Sequence, residues 1–289
     1  MIDNGHPRRY MIAAFEGWND ASQAATNVVR HLLDVYPSRE IGHICCDDYY
    51  DFQVSRPMMC VVQGRKQIIW PETTLYELTL DDQPAQAIST RAPQKLYVAM
   101  GPEPNLHWSD FCQRMMHFAD ECDVTDIITL GSMYSDVPHT RALPVFMSDG
   151  DDDVAEEDTY TGPVGIPTVL NISAAEEGFE SHSLWVAVPQ YMGHDDCDAG
   201  TLRLLEEISA LTEIDIDEAE LASKAERWRR HGDMLMATND QLQDYIHHIE
   251  RNIDTQEAGS TPSLSAPHAK RLVEETEEFL RSFDNPAAL

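Results

Sequence analysis

Along roughly the first two hundred residues, short apolar runs alternate with stretches whose apolar residues recur every three or four positions. Arg9–Glu16 is the first run and reads as a buried strand. Ala24, Val28, Leu32 and Val35 then fall on one helical face, with Asn19 or Asp20 placed to cap that helix and Pro37 to end it. Four short strands are predicted at Ile41–Cys46, Met59–Gln63, Gln67–Trp70 and Leu75–Leu80, with a hairpin turn at Gly64-Arg65. Residues 81–92 read as a polar, turn-rich connection. Leu96–Met100 is a strand, and His107–Cys122 a helix with Phe111, Met115, Phe118 and Ala119 facing inward. Val124–Leu130 and the shorter Val145–Met147 are strands, and the acidic run Asp149–Asp158 is an exposed loop. Gly162–Gly165 introduces a helix over 165–177 that Gly178 closes, and Ser183–Val188 is the last buried strand. Strands alternating with helices imply βαβ units, an α/β fold and a mostly parallel sheet.

After Gly200 the pattern changes. Leu202–Leu211 is a short helix. From Glu218 to Ile253 a four–three spacing runs through Leu221, Ala225, Trp228, Gly232, Leu235, Asn239, Leu242, Ile246 and Ile249. This is a heptad seam, weakened in its middle by Gly232 and given a polar group by Asn239. It can be buried against the 202–211 helix or against another subunit; the spacing leaves both open. Thr255–Pro262 reads as linker, and Ser265 caps an amphipathic helix carrying Leu272, Val273, Phe279, Leu280 and Phe283. The expected organisation is a core over 1–198, a helical arm over 199–254, a flexible linker over 255–264 and a terminal helix and tail over 265–289.

Composition narrows the function classes. The 289 residues are 42% hydrophobic and 25% charged, enough for an ordinary core. The net charge of -31 argues against nucleic acid and anionic membranes, because both need a positive footprint. No apolar run reaches the ~18 residues a membrane span needs, and Met1–Arg9 lacks the apolar centre of a signal peptide. Six scattered cysteines without a CxxC pair favour reduced thiols in a cytoplasm.

The chemistry-bearing residues follow strand ends. Met11–Phe15 runs into Glu16, Gly17, Trp18, Asn19 and Asp20; Lys95–Met100 runs into Gly101, Pro102, Glu103 and Pro104. Asp126–Leu130 runs into Gly131-Ser132 and then Val137-Pro138-His139-Thr140-Arg141. In open α/β sheets the loops after strand carboxyl ends share one rim, where ligands bind. Arg141 is a fork for phosphate or carboxylate. His139 is a candidate general base, because a free imidazole changes charge at about pH 6.5. Glu16, Asp20 and Glu103 can bind a ribose or polarise water. The competing reading makes 138–141 a rigid loop whose Arg141 is tied to Glu103 or Asp20. Gly131-Ser132 resembles a nucleophile turn but lacks GxSxG. Gly162–Gly165 can offer backbone amides to an anion, or simply cap a helix. His194-Asp195-Asp196-Cys197-Asp198 holds metal-ligand types but reads as a solvated loop. The acidic run lacks the Gly and Glu of a calcium loop: counting from Asp149 puts Val154 and Tyr160 at those positions. Trp70, Trp185 and Trp228 read as core or interface anchors. No metal and no cofactor are expected.

These clusters resemble a known family. Phe15-Glu16-Gly17-Trp18-Asn19-Asp20-Ala21 is similar to the opening motif of the proteasome assembly chaperone family, in the branch named for its second subunit. Gly101-Pro102-Glu103-Pro104 with Trp108 and Phe111 resembles its second motif, and Val137-Pro138-His139-Thr140-Arg141 is the most specific match. Tyr160–Ile166 and Val188-Pro189-Gln190-Tyr191 complete the order, over about residues 10–230. The resemblance implies a three-layer α/β/α core like that of purine nucleoside phosphorylases, and a cytoplasmic homo-oligomer, with trimers favoured for bacterial members carrying a helical extension. It implies proteasome α subunits as partners in eukaryotic and archaeal relatives. Two departures stand out. The family's chaperone tail has a penultimate Tyr, whereas this sequence ends Pro286-Ala287-Ala288-Leu289, and Met192–Asp196 replaces a Pro-rich segment. The expected function is a non-enzymatic interaction or assembly-chaperone-like protein. The alternative is a phosphorylase- or hydrolase-like enzyme, or a binder of a nucleoside-like or anionic small molecule at the rim.

Overall fold

The computed structural model describes residues 8–45, 48–80, 94–150, 161–193 and 195–257. The connection expected at 81–92, most of the acidic loop, His194, the linker beyond Glu257 and the terminal helix lie outside them.

The first strand, β1 (Tyr10–Glu16), shows why its sequence is apolar from Tyr10 to Phe15. Tyr10, Ile12 and Ala14 enter one core; Met11, Ala13 and Phe15 enter another. Alternate side chains of a strand point to opposite faces, so a strand covered on both sides needs apolar residues at every position. β1 lies between β6 (Gln94–Pro102) and β7 (Asp126–Ser135), parallel to both, and β9 (Glu180–Pro189) is parallel to β7. β5 (Glu72–Leu80) pairs antiparallel with β6, β2 (Ser38–Cys45) antiparallel with β5, and β8 (Val145–Asp149) antiparallel with β9. The order is β2-β5-β6-β1-β7-β9-β8. The sheet is therefore mixed: four parallel strands in the middle, antiparallel pairings on both flanks.

Helices cover both faces. α1 (Thr26–Val35) and α4 (Asp198–Thr212) give Val28, Val29, Leu32, Leu204, Leu205 and Ile208 to the first core. α2 (Trp108–Glu121) and α3 (Ile166–Glu176) give Phe111, Met115, Leu170 and Ala174 to the second, where Phe111 meets Phe15 edge-on at 5.8 Å.

Three elements differ from expectation. Gly131-Ser132 is no turn: β7 continues through both to Ser135, and a Cβ on Gly131 would sit 2.5–2.6 Å from the Trp185 ring on β9. The glycine makes room for an aromatic ring across the ladder. The hairpin turn falls one residue earlier, at Gln63-Gly64, between β3 (Met58–Val62) and β4 (Arg65–Ile69). Both turn residues have positive φ, 50° and 77°, as a two-residue turn matching strand twist requires. Finally, the heptad run is two helices, α5 (Leu221–Thr238) and α6 (Asp240–Glu257). Asn239 breaks it, adopting φ -142° and accepting the Leu242 N–H on Oδ1 at 3.1 Å. A short amide side chain competes with the helix for backbone donors and so starts a new one. Leu221, Ala225 and Trp228 join the first core beside α4, so this part of the seam is buried within the chain.

Candidate functional site

The four central strands end at one rim, and Glu103 joins the loops there. Its Oε1 accepts a hydrogen bond from Asn19 Nδ2 at 2.7 Å and from the Ile166 N–H, at the start of α3, at 2.8 Å. Its own N–H donates to the Glu16 carbonyl at 2.9 Å. A carboxylate is favoured at a helix N-terminus, where backbone donors lack partners. Asn19 is fully buried, and its Oδ1 lies against Gly165 without a hydrogen-bond partner among the described residues. Gly165 is a glycine because any Cβ would overlap the Asn19 amide. Gly101 is likewise a close approach, with a Cβ there falling 2.6 Å from the Thr73 Cα. Glu16 forms an ion pair with Arg30 at 2.6 Å. Trp18 is 57% exposed, and Gly162 is exposed.

Asp20 caps α1 as expected, from across a short 3-10 turn. Its Oδ1 accepts the N–H groups of Ala25 and Thr26, both at 3.1 Å, and its Oδ2 accepts the Thr26 hydroxyl at 2.5 Å. Burial pushes the Asp20 carboxyl above its ordinary range, and the bonds from Thr26 and Ala25 oppose that. Ser132, buried inside β7, donates its hydroxyl to the Ala21 carbonyl at 2.8 Å. It ties the loop after β1 to β7.

The His139 motif belongs to a different neighbourhood. The His139 N–H donates to Tyr191 Oη at 2.6 Å, and Nδ1 lies 2.8 Å from the same oxygen. Nε2 faces Asp233 Oδ1, on α5, at 3.3 Å. The tautomer that satisfies all three has Tyr191 donating to Nδ1 and Nε2–H donating to Asp233. Burial raises the Tyr191 phenol well above its ordinary value. Thr140 donates to Glu250 on α6 at 2.5 Å, and Arg141 meets Glu250 at 3.8 Å and Asp254 at 3.6 Å. The expected tie from Arg141 to Glu103 or Asp20 is therefore replaced by pairs with α6. Tyr245, also on α6, donates to Asp136 at 2.5 Å and packs edge-on against Tyr191. Residues 136–141 form a socket for the helical extension.

The partners on α5 and α6 escaped the sequence reading because acids on an exposed helix face look like solvated charge until the fold brings them to a loop 94 to 110 residues away. Cys197 is not in a solvated loop: it is buried and its Sγ accepts the Gly200 N–H at the start of α4. A further set comes from strand register. Cys45 pairs with Glu72, and His43 stands two residues back on the same face, bringing three ligand-type atoms within 4.8 Å of one another. Such donors could hold zinc with a fourth position open. No sequence spacing reveals them, since Glu72 comes from another strand. Among the described residues, no helix is long and apolar enough to cross a membrane.

The PAC2 family model matches residues 14–236, from the rim motif through α5. The chain belongs to the PAC2 family. It is similar to the crystal structure of a PAC2 family protein from Streptomyces avermitilis, with 34% identity over 82% of this chain and 99% of that one, at a TM-score of 0.73. It is also similar to a proteasome-assembly chaperone homologue of Mycobacterium tuberculosis, with 30% identity over 82% and 99% of the two chains and a TM-score of 0.71. A second M. tuberculosis protein, of unknown function, shares the fold over 94% and 92% of the chains at a TM-score of 0.78 and 21% identity. No curated protein matches the chain.

Proposed function

We propose that this PAC2 family member is a cytoplasmic, non-enzymatic, assembly-chaperone-like protein. It works as a homo-oligomer, with the trimer favoured, and takes proteasome α subunits as clients. The observation that carries the reading is the use of the polar motif residues inside the chain. Glu103 holds two loops and a helix start, and Asp20 holds α1. His139, 1% exposed, is enclosed by Tyr191, Asp233 and Gly232, and Arg141 is spent on α6. A general base needs access to a substrate, which the burial of His139 denies it; Arg141 is half-exposed, and its two acidic partners on α6 engage it as part of the clamp. Similarity to the mycobacterial chaperone homologue supports the choice of client. The test is native mass spectrometry of the pure protein, alone and with proteasome α subunits. A homo-oligomer that captures α subunits is the expected result. A protein that ignores them, yet gains thermal stability from phosphate or a nucleoside, would overturn the reading.

A further inference from the structure

The β3–β4 hairpin is where the exposed apolar surface concentrates. Met58, Met59, Val61, Ile68, Ile69 and Trp70 are each 51–66% exposed. They occupy both faces of the hairpin, because neighbouring strand positions point in opposite directions. Among the described residues, β3 and β4 pack substantially on each other and on no other named element. A two-stranded ribbon is marginal in water by itself, and contiguous apolar patches on soluble proteins mark interaction sites.

Charge identifies the occupant. From Phe52 to Pro71 there is no acidic residue, while Arg56, Arg65 and Lys66 are basic, in a chain of net charge -31. An apolar, basic strip suits an acidic surface, and the rest of this chain is one. The root of the hairpin is fixed. Phe52 packs against Trp70 with the rings tilted by 50° and their centroids 4.9 Å apart, and Asn105 Oδ1 accepts from the Asp51 N–H at 2.9 Å and the Ser55 hydroxyl at 3.1 Å. The N–H groups of Asn105 and Leu106 donate to the Tyr49 carbonyl. The arm therefore leaves the molecule from the rim, beside the Glu103 junction. The three loops held by Glu103 each present one large exposed apolar side chain: Trp18 (57%), Leu106 (45%) and Val164 (41%). Half-exposed Glu16 ends β1 and exposed Asp110 lies in the first turn of α2, paired with Arg30 and Arg114 respectively.

We infer that the hairpin is an oligomerisation arm whose apolar strip seats on the Trp18–Leu106–Val164 patch of a second copy of this chain, with its basic residues facing that copy's acidic rim. Arm and seat are different surfaces, so the contact is heterologous and repeats head to tail until a ring closes. The inference rests on the homo-oligomer reading above and names the surfaces that build it. Apolar burial supplies the affinity, and the charges add a salt-dependent part.

The test uses the full chain and two variants. The arm variant, V61E/I68E, changes exposed positions, so its circular dichroism and melting should match wild type. Its self-association should weaken by at least ~100-fold, leaving single chains at micromolar concentration by light scattering and native mass spectrometry. The seat variant, W18E, should behave alike. Mixed, the two should form a two-chain species, because the intact arm of one still finds the intact seat of the other. A single-chain wild type, an arm variant that keeps its oligomer, or a mixture that stays single-chain would each overturn the inference. Capture of α subunits, scored in parallel, separates the two readings. A persistent oligomer that loses capture rejects the arm assignment and leaves the chaperone reading standing. Single chains that still capture α subunits support the arm.

Discussion

Replacing Gly232 with alanine should destabilise this protein, against the usual sign of that change. In a helix interior, alanine is favoured over glycine by ~1 kcal/mol. Gly232 is buried in α5, and a Cβ there would sit 2.6 Å from Cγ and 2.8 Å from Nε2 of His139, and closer still to Cδ2. The ring cannot swing away freely: Tyr191 holds Nδ1, Asp233 faces Nε2, and the side chain is 1% exposed. Forcing a methyl into such packing costs ~1–3 kcal/mol, and losing one hydrogen bond of the clamp adds ~0.5–1.5. The net expectation for Gly232→Ala is a loss of ~1–3 kcal/mol, or a Tm lower by about 2–10 °C. The background decides the cause. In His139→Ala the ring is gone, so the same Gly232→Ala change should stabilise by up to ~1 kcal/mol. The sign reversal implies a coupling of ~2–4 kcal/mol between the two positions. Urea unfolding of the four proteins, with unchanged m-values, measures it. Gly232→Ala acting with the same sign in both backgrounds would refute the packing argument.

Other expectations follow from single contacts. Glu103→Ala strips acceptors from Asn19 Nδ2 and the Ile166 N–H and should cost ~2–5 kcal/mol, whereas Glu103→Gln keeps an acceptor oxygen and should cost about 1; equal losses in thermal melts would contradict this. Burial raises the folded-state pKa of Asp20 above its ordinary 3.8. Its contribution is thus fully present below that value and is lost as pH rises through the folded pKa, so Asp20→Asn should flatten the stability decline above about pH 4. An unchanged slope of urea midpoint against pH would contradict it. Burial pushes the Cys112 and Cys197 thiols up to about 12. A thiol reagent at pH 8 should therefore label the partly exposed Cys45 and Cys60 first and reach those two only on unfolding; labelling of either in the folded protein at a comparable rate would show their shielding to be wrong.

The sheet and its covering helices were legible because periodicity reports burial directly. β1 is apolar from Tyr10 to Phe15 and is covered on both faces; Val28 and Leu32 of α1 repeat the spacing begun by Ala24 just before it, and all three are buried. What escaped was set by distant partners. Gly131 reads as a turn residue until Trp185 arrives from β9 to fill its missing side chain. Gly232 reads as a weak point in a seam until the His139 ring is found in its place. Asn239 reads as a polar seam residue because heptad counting carries on through a break, although its capping chemistry marks the start of α6. At the site, the motif residues were found but their grouping was not. Arg141 and Glu103 both follow strand ends, yet Arg141 turns to α6 and Glu103 to α3. A rule that places loops on one rim does not say which way each side chain turns. The exposure of the hairpin was also hidden, since a continuous apolar run such as Met58–Val62 looks like any covered strand.

The socket at 136–141 bears on whether the helical extension is a separable arm. Leu221, Ala225 and Trp228 of α5 belong to the same buried cluster as Ile12, Leu130 and Val188 of the central sheet. His139, Thr140 and Arg141 all find partners on α5 or α6. Ending the chain at residue 217 would uncover that cluster. At ~1.5–3 kcal/mol for each large apolar side chain, and with the clamp around His139 opened as well, the loss is on the order of 5 kcal/mol. Whole domains are stable by only ~5–15 kcal/mol, so the shortened chain should not keep a cooperative fold. It should bind a hydrophobic dye and melt without a sharp transition in calorimetry. A truncated protein that melts cooperatively within a few degrees of the full chain would show that the α/β layers stand without α5 and α6. The buried seam would then have to owe its place to something other than the core it now completes.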